Sequence, residues 1–348
     1  MNDRFLRACR GEPTDVTPVW FMRQAGRYQP EYRRLRARYR LLELARDPAL
    51  CAEVTCGAVE SLGVDAAILF SDIMVPLEPM GVAFDIREGT GPVVSAPIRR
   101  AADVERLRPL EPERHLRFVG EAIHRCRERL AVPLIGFAGG PFTLASYLVE
   151  GGPSRDYAAT KRWMWTDPEG FQLLLERLSE AVAAFLAYQI REGAAAVQIF
   201  DSWVGALAPE DYAERVLPHL RRLVQAVRPL GAPIIYFGVG TATLLPWIRT
   251  LGVDVIGLDW RIPLGTARAQ LGDQQAVQGN LDPAAVLAPW PVVAAKADAI
   301  LAANGGRPGH IFNLGHGVLP ETDPAILRRL VDWVHARPVG EGGRGAHG

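Results

Sequence analysis

The sequence contains few cysteines and no long apolar run, and each shortage excludes a class of protein. Its four cysteines, spread over 348 residues, form no C-x-x-C pair, so we expect a reducing compartment and no disulfides. No uninterrupted apolar run reaches the roughly 18 residues that a membrane-spanning helix needs. The charged start MNDRFLRACRGEPTD lacks the apolar segment of a secretory signal. We therefore expect a cytoplasmic protein that does not enter a membrane.

The chain also has no net charge, since 39 basic side chains balance 39 acidic ones. This balance argues against a protein that coats nucleic acid or an anionic membrane. Recognition by charge must therefore be local, and residues 18–40, PVWFMRQAGRYQPEYRRLRARYR, contain seven arginines. Because Lys161 and Lys296 are the only lysines, arginine is abundant throughout the chain. Its abundance alone does not assign these seven a function.

Eight short apolar runs, typical of strands buried on both faces, alternate with segments of helical periodicity. The runs are PVWFM at 18, AAILF at 66, PLIGF at 133, AVQIF at 196, PIIYF at 233, DVIGL at 254, AVQG at 276 and HIFNL at 310. Clear helical segments lie at 170–193 and 209–227. This alternation predicts an α/β fold, a single-domain (β/α)8 TIM barrel. A doubly wound open sheet is the competing fold, but no G-x-G-x-x-G opens a helix to favour it.

Two connections are longer than a simple barrel requires. Between the second and third strands, residues 71–132 include GVAFDIREGTGPVV, which predicts a strand pair around the turn REGTG. Residues 138–195 have room for more than one helix. We interpret both as elaborations, above all the connection between the second and third barrel strands, and assign residues 1–338 to one catalytic barrel domain. The tail at 339–348, VGEGGRGAHG, has too little apolar content to order itself, so we expect disorder there.

Catalytic residues of this fold lie at the carboxyl ends of the strands, so the side chains after each run indicate the chemistry. Polar groups are concentrated after four of the runs. They are Arg23, Gln24 and Arg27 after the first, Ser71 and Asp72 after the second, Asp201 and Ser202 after the fourth, and His316 after the eighth. Arginine, carboxylates, hydroxyls and one histidine are thus expected on one face.

This set does not match common metal or nucleophile sites. His310 and His316 would lie at opposite ends of one strand, and no cysteine follows a strand, so we expect no catalytic metal. Ser202 in FDSWVG lacks the G-x-S-x-G frame of an activated serine. Glycines at 138–141 and 238–243 could present N–H groups to a phosphate, although tight turns entering helices explain them better.

Two arginines and a carboxylate, with no cofactor motif beside them, indicate a small anionic ligand. The rigid guanidinium fork matches carboxylates in bidentate fashion, so the natural ligand carries several carboxylates. Asp72 would face the opposite kind of group, a hydrogen-bond donor or a developing cation. A polyanion with internal N–H groups satisfies both requirements.

Several stretches resemble the uroporphyrinogen decarboxylase family. The two longest are PVWFMRQAGRYQPEYR and GFAGGPFTLASYLVEGG, which are similar to the two signature stretches of that family. Shorter matching pieces are LFSDIMVP, IFDSWVG, QGNLDP and NLGHGVLPETDP. They run through nearly the whole chain in the family's order.

The resemblance implies an activity in porphyrin (haem and chlorophyll) biosynthesis. A member of this family removes the carboxyl groups of the four acetate side chains of uroporphyrinogen III, which gives coproporphyrinogen III and four CO2. The resemblance also implies a barrel, a homodimer and no cofactor. A pyrrole ring is its own electron sink, because protonating a ring carbon spreads positive charge toward the carbon that bears the acetate.

The resemblance assigns roles to particular residues. Asp72 would accept hydrogen bonds from the pyrrole N–H groups and stabilise the protonated ring, and Arg23 and Arg27 would pair with substrate carboxylates. These three are the expected catalytic residues, and Gln24 would orient their loop. The substrate-binding set is Arg23, Gln24, Arg27, Asp72, Tyr147, Ser202 and His316.

Each assignment has a structural alternative. Asp72 and Ser202 could cap the helices that follow them, Tyr147 could be a core aromatic, and His316 could be a satisfied histidine in a glycine turn. Phe70 and Phe200 could form an apolar floor under the macrocycle. Of the other arginines, Arg36 matches a family arginine near the pocket and Arg33 could contact a partner subunit. The remaining ones are expected on the solvated faces of a helix that begins at Pro30.

Two other functions compete with this hypothesis. Corrinoid-dependent methyltransferases share the barrel but use zinc held by His and Cys, and the cysteines at 9, 51, 56 and 126 are not at strand ends. A non-catalytic porphyrinogen carrier would explain the arginines. It gives no reason for Asp72 to lie opposite a cation.

Overall fold

The computed structural model describes residues 2–87, 89–337 and 339. Its strands are β1 Ala67–Ile68, β2 Phe84–Arg87, β3 Gly91–Val94, β4 Leu134–Gly139, β5 Ala196–Phe200, β6 Ile234–Phe237, β7 Val255–Gly257, β8 Ala276–Gln278 and β9 His310–Ile311. Seven of them form a curled parallel sheet in the order β1-β4-β5-β6-β7-β8-β9. The pair β2 and β3 forms a separate antiparallel sheet.

Helices follow most of these strands. They are α1 Arg4–Cys9, α2 Pro30–Arg36, α3 Leu41–Arg46, α4 Pro48–Leu62, α5 Ala101–Val104, α6 Pro112–His115, α7 Arg117–Arg129, α8 Pro141–Glu150, α9 Ala158–Thr166, α10 Pro168–Glu192, α11 Pro209–Asp211, α12 Leu217–Val227, α13 Leu245–Ile248, α14 Leu264–Leu271, α15 Trp290–Asn304 and α16 Pro324–His335. A π-helical turn, Tyr212–Val216, joins α11 to α12. Helices and parallel strands therefore alternate, as the sequence predicts. Within the described residues, no helix combines the length and apolar character needed to span a bilayer.

Local sequence explains where the long helices begin and end. Asp167 accepts a hydrogen bond from the backbone N–H of Gly170, and Pro168 follows it at the first helical position of α10. The same helix ends at Gly193, whose φ of 112° lies in the left-handed region that favours glycine. The chain then turns directly into β5. These signals set the helix length and so the position of the strand that carries Ser202 at its end.

Alternate side chains of the strands belong to two different cores. Ile135, Ile235 and Val255 lie in a cluster inside the curled sheet, while Leu134 and Ile234 lie in the cluster between the sheet and the helices. The two-residue period of a strand produces this division. Burial on both faces explains why the sequence shows continuous apolar runs rather than alternation.

A chain of polar side chains crosses the interior of the sheet. The indole N–H of Trp20 donates to Oε1 of Gln278 at 2.8 Å, and Nε2 of Gln278 donates to Oε1 of Gln198 at 3.1 Å. Nε2 of Gln198 in turn lies 3.7 Å from the sulfur of Met22. All four residues are buried, so each amide obtains a partner that water cannot supply. This chain joins opposite walls beneath the cavity.

The first of the eight predicted strands takes a different form. Residues 18–22 make a single parallel bridge, between Val19 and Phe312, and no regular strand. Three of their N–H groups donate to side chains, and that of Trp20 donates to the neighbouring backbone, at the carbonyl of Phe312, at 3.3 Å. Val19 donates to Asp65 Oδ2 at 2.8 Å and Met22 donates to Asn313 Oδ1 at 3.1 Å. The other seven apolar runs contain strands of the parallel sheet.

The connection between β1 and β4 contains the β2–β3 hairpin and helices α5, α6 and α7. In the hairpin Phe84 lies opposite Val94 and Arg87 lies opposite Gly91, so the strand pair around REGTG forms as predicted. Helices α8, α9 and α10 fill the other long connection. The expected disorder of residues 339–348 falls, apart from Val339, outside the described residues.

Candidate active site

A cavity of about 580 Å³ opens at the carboxyl ends of the strands, a volume typical of small-molecule sites. Its walls come from the loops after β1, β5 and β9, from helix α8, from residues 22–27 and from the β2–β3 hairpin. Six of the seven residues that the sequence indicates for substrate binding line it. They are Arg23, Arg27, Asp72, Tyr147, Ser202 and His316. The structure therefore brings together residues that are separated by up to about 290 positions in the chain.

Four arginines line this cavity, namely Arg23, Arg27, Arg36 and Arg87. Among the described residues, the side chains of Arg23, Arg27 and Arg87 have no hydrogen-bond or ion-pair partner, and Arg36 donates only to the carbonyl of Tyr39 at 2.6 Å. About half of the other described arginines have a carboxylate partner, as Arg46 has in Glu78 at 2.5 Å. Unpaired guanidinium groups around one cavity favour an anionic ligand with several carboxylates.

Asp72 is the one carboxylate among the described residues that line the cavity. Its Oδ1 accepts a hydrogen bond from the N–H of Met74 at 2.9 Å, which fixes the turn after β1. Burial raises the pKa of Asp72, while the Met74 N–H and the positive charge of Arg23 act to lower it. One oxygen thus serves the local turn, as the capping alternative requires. The other oxygen has no donor among the described residues and is available to a ligand.

Gln24, the seventh residue of the predicted set, does not reach the cavity. Its side chain is fully buried. Oε1 accepts from the N–H of Phe21 at 3.1 Å, and Nε2 donates to the carbonyl of Ala66 at 3.1 Å. The expected substrate contact of Gln24 is therefore replaced by a structural role, since both ends of the amide bind backbone. This role agrees with the expectation that Gln24 orients the arginine loop.

Arg33 contributes to the same loop. Its Nη1 donates to the carbonyl oxygens of Arg27 and Tyr28 at 2.9 and 2.8 Å. The hydroxyl of Tyr28 also donates to the carbonyl of Gln24 at 2.5 Å. These contacts hold the turn between Arg23 and Arg27 from the helix α2 side. Arg33 is thus a support for the loop, a role that the sequence alone did not indicate.

Tyr147 and Ser202 lie on neighbouring walls that aromatic packing joins. The ring of Tyr147, on α8, lies 4.0 Å from that of Trp203, and the ring of Tyr157 lies 5.1 Å from Trp203 on another side. Burial raises the pKa of Tyr147, and the negative charge of Asp72 adds to the effect. Tyr147 therefore keeps its proton and faces the cavity as a hydrogen-bond donor near Asp72.

A buried carboxylate connects these two walls. Oδ1 of Asp201 accepts from the N–H of Thr143 at 2.9 Å and from its hydroxyl at 2.8 Å. The Thr143 hydroxyl also accepts from the N–H of Trp203 at 3.1 Å. Asp201 thus joins the first turn of α8 to the loop after β5. A Cβ at Gly140 would lie 2.3 Å from Cγ of Asp201, so only glycine permits this approach.

His316 is held as a neutral donor. The backbone N–H of Gly317 donates to its Nδ1 at 2.7 Å, so Nδ1 is an acceptor and the ring proton is on Nε2. Burial, with the nearby charges of Arg23 and Arg261, lowers the pKa of His316 to about 4. The sequence left open a positive or a donor imidazole, and this geometry selects the neutral donor.

Aromatic rings form an apolar surface in the cavity. Phe137 and Phe200 both line it, and their rings meet edge to face with centroids 5.4 Å apart. Phe237 packs behind Phe200 at 6.1 Å, and Phe70 lines the cavity beside Tyr32 at 5.5 Å. Phe70 and Phe200 were both expected to take part in such a floor. A flat apolar ligand with anionic edges would find rings below it and guanidinium groups at its rim.

The β2–β3 hairpin is the part of the site that the sequence did not indicate. Ile86, Arg87, Thr90, Gly91 and Pro92 all line the cavity. The turn sequence REGTG predicted a hairpin but contained nothing to show which way it folds. Only the packing of the hairpin against the carboxyl ends of the parallel strands brings Arg87 to the same cavity as Arg23 and Arg27.

The described residues offer no group of three His, Cys, Asp or Glu side chains arranged to hold a metal ion. The four cysteines are free and buried. A zinc centre of the His and Cys type therefore lacks its ligands in the described part of this chain.

Comparisons with known proteins agree with these features. A family model described as uroporphyrinogen decarboxylase matches residues 1–337. A uroporphyrinogen decarboxylase from Sorangium cellulosum is 54% identical, and the match covers 97% of this chain and 97% of that one. A uroporphyrinogen decarboxylase from Thermus thermophilus is also 54% identical, and the match covers 96% of this chain and 98% of that one. A methyltransferase structure from Methanosarcina mazei matches with a TM-score of 0.75 at 20% identity, covering 96% of this chain and 97% of that one. The last likeness concerns the fold alone, an α/β fold like that of TIM barrels.

Proposed function

The chain belongs to the uroporphyrinogen decarboxylase family, and we propose that it decarboxylates uroporphyrinogen in porphyrin biosynthesis. The substrate is uroporphyrinogen III, and its four acetate side chains become methyl groups, which yields coproporphyrinogen III and four CO2. No cofactor takes part. The observation that carries this proposal is the arrangement of one carboxylate, Asp72, in a cavity lined by four arginines.

The chemistry requires a proton and a stabilised cation at each step. Protonation of a pyrrole ring carbon places positive charge on the ring, conjugated with the carbon that bears the acetate. The C–CO2 bond then breaks, its electron pair neutralises the ring, and an exocyclic methylene is left. A second proton adds to this methylene, and the ring carbon releases the first. Each cycle therefore consumes one proton and releases one CO2, with no electron acceptor.

Asp72 supplies the electrostatic part of this mechanism. Its unpartnered oxygen accepts hydrogen bonds from the pyrrole N–H groups, and its charge stabilises the cationic ring more than the neutral one. Its surroundings exclude much of the solvent, which strengthens this interaction. The raised pKa of Asp72 falls when N–H donors and a positive ring occupy the cavity.

The arginines bind the carboxylates that surround the macrocycle. Arg23 and Arg27 lie in the loop that Gln24 and Arg33 hold in place. Arg36 and Arg87 add two more guanidinium groups to the edge of the cavity. Tyr147, Ser202 and neutral His316 add hydrogen-bond donors. Because these donors keep their protons at neutral pH, the site selects its substrate by hydrogen-bond geometry as well as by charge.

The proposal also covers the architecture. Residues 1–338 form one catalytic domain, and residues 18–22 complete a closed (β/α)8 barrel as its first strand. Support comes from the contacts of this segment with both edges of the sheet. Val19 accepts from the N–H of Asp65, just before β1, at 2.7 Å, and Phe312, just after β9, donates to the carbonyl of Pro18 at 2.8 Å. A cytoplasmic homodimer completes the proposal and rests on the family resemblance.

One experiment tests the reaction. The purified protein, treated with chelator, is incubated with chemically reduced uroporphyrin in D2O, without oxygen and in the dark. We expect stepwise loss of carboxyl groups by chromatography and one deuterium in each new methyl group by mass spectrometry. Porphyrinogen that binds without losing CO2 would indicate a carrier instead. Activity abolished by the chelator and restored by metal would contradict the cofactor-free mechanism.

A further inference from the structure

We infer that Gly317 is a positioning residue that directs the side chain of Arg23 into the cavity. The inference deepens the proposed function, since it assigns a residue that controls one of the substrate-binding arginines. Gly317 itself has no functional group, so its contribution is the space that its missing side chain leaves.

The stem of Arg23 occupies that space. A Cβ built on Gly317 would lie 2.4 Å from Cδ, 2.7 Å from Cγ and 3.0 Å from Nε of Arg23. The three nearest atoms all belong to this one side chain. Such distances are far shorter than a carbon–carbon contact of about 3.5 to 4.0 Å. Any residue other than glycine at 317 must therefore move Arg23.

The backbone at 317 does not itself require glycine, because its φ lies outside the left-handed region. Gly315, two residues earlier, shows the contrast. A Cβ there would lie 2.5 Å from the backbone nitrogen of Trp260, so Gly315 is required for the packing of two main chains. At 317 the three nearest atoms belong instead to the side chain of Arg23, which binds the substrate in the proposed function.

The base of Arg23 is fixed, so its side chain cannot retreat freely. Its φ of 61° lies in the left-handed region, which is uncommon outside glycine and is kept only where neighbouring contacts hold it. Gln24 binds backbone on both sides, as described above, and the N–H of Val318 donates to the carbonyl of Met22 at 2.9 Å. The bond between Val318 and Met22 thus ties the two loops together beside the contact between Arg23 and Gly317, and Gln24 fixes the residue that follows Arg23.

The direction in which Arg23 is held is the functional one. Arg23 lines the same cavity as Asp72, Tyr147 and His316. Its positive charge acts to lower the pKa of all three. If the aliphatic part of the Arg23 side chain were displaced, its guanidinium group would move away from these three residues. Misplacement by about 1 Å can cost on the order of 100-fold in rate.

A double-mutant cycle tests the inference. Gly317→Ala is made in the wild-type and in the Arg23→Ala background, and kcat/KM for uroporphyrinogen is measured in single-turnover mode. We expect the alanine at 317 to lower kcat/KM by about 10- to 100-fold in the wild type. In the Arg23→Ala background we expect a change within about twofold, because the side chain that it displaces is absent.

Two results would overturn the inference. An equal fall in both backgrounds would mean that the new methyl group obstructs the substrate or the fold directly. An unchanged kcat/KM in the wild type would mean that Arg23 does not depend on the space at 317. Gly57→Ala, in α4 with no atom within 4 Å of the added Cβ, is the matched control and should leave kcat/KM unchanged in both backgrounds.

Binding gives a readout that does not depend on turnover. The affinity for oxidised uroporphyrin, an unreactive polycarboxylate, is measured by quenching of tryptophan fluorescence in the same four proteins. We expect the same coupling between Gly317 and Arg23 in these affinities. The melting temperatures of the four proteins should be equal. If the wild-type protein released no CO2, the proposed function would fail, while the binding cycle would still decide whether Gly317 positions Arg23.

Discussion

The hydroxyl group of Tyr236 donates a hydrogen bond to Oδ2 of Asp201 at 3.1 Å, in the buried wall of the curled sheet. The N–H and hydroxyl groups of Thr143 donate to the other carboxylate oxygen, Oδ1, so Asp201 joins β5, β6 and α8. Burial raises the pKa of Asp201 to about 6, even though these donors act to lower it. The residue next to it, Ser202, lines the cavity. The charge state of one buried group is therefore linked to two walls of the site.

The raised pKa of Asp201 predicts how stability changes with pH. The folded protein holds this proton more tightly than the unfolded chain, so the contribution favours folding at low pH and declines as pH rises from about 4 through about 6. A rise from 3.8 to about 6 corresponds to at most about 3 kcal/mol. Asp201→Asn should flatten this dependence. The free energy of unfolding, measured by urea denaturation of the wild type and the variant at several pH values between 4 and 6.5, checks this prediction. Identical pH profiles for the two proteins would refute the raised pKa of Asp201.

His316 should remain neutral throughout the working pH range. Its pKa of about 4 and the Gly317 N–H on Nδ1 predict a proton on Nε2 alone above about pH 5. Nitrogen NMR of the labelled ring measures this directly. His316→Gln, which keeps a donor, should retain most of the activity. His316→Ala should lose about 10-fold or more, the value of a hydrogen bond to a charged group. A ring that carries both protons at pH 6 would contradict this prediction.

The cavity arginines should affect binding more than a surface arginine does. Arg27→Ala and Arg87→Ala should each raise KM by roughly 10- to 100-fold, since each removes a charge-assisted hydrogen bond. The rise in KM should be smaller at high ionic strength, because salt screens the exposed guanidinium groups at the edge of the cavity. Arg34→Ala is the control, because Arg34 is exposed and paired with Glu31 at 3.1 Å. Equal effects of all three variants would show that the cavity arginines have no special role.

The sequence predicted the strand ends well because parallel strands place their carboxyl ends on one face. Asp72, Ser202 and His316 follow apolar runs directly, so their convergence needed only the order of the elements. The same reasoning failed for Gln24. A polar residue at a strand end can point inward, and nothing in the local pattern distinguishes an amide that binds ligand from one that binds backbone.

Other features depend on long-range packing that no local pattern encodes. Arg87 lines the cavity because the hairpin that carries it packs over the carboxyl ends of the parallel strands. Residues 18–22 have the composition of a strand. Two of their N–H groups are bound by Asp65 and Asn313, distant residues whose positions follow only from the assembled fold.

The role of Asp72 is tested most directly by the single-turnover decarboxylation rate of the Asp72→Asn variant on reduced uroporphyrin. The amide keeps an acceptor for the pyrrole N–H groups but loses the charge opposite the cationic ring. We predict a KM within a few-fold of wild type and a rate lower by roughly 100- to 1,000-fold. Asp85→Asn, in β2 and outside the cavity lining, is the matched control and should react at the wild-type rate. A rate for Asp72→Asn that equals the wild-type rate would contradict the mechanism.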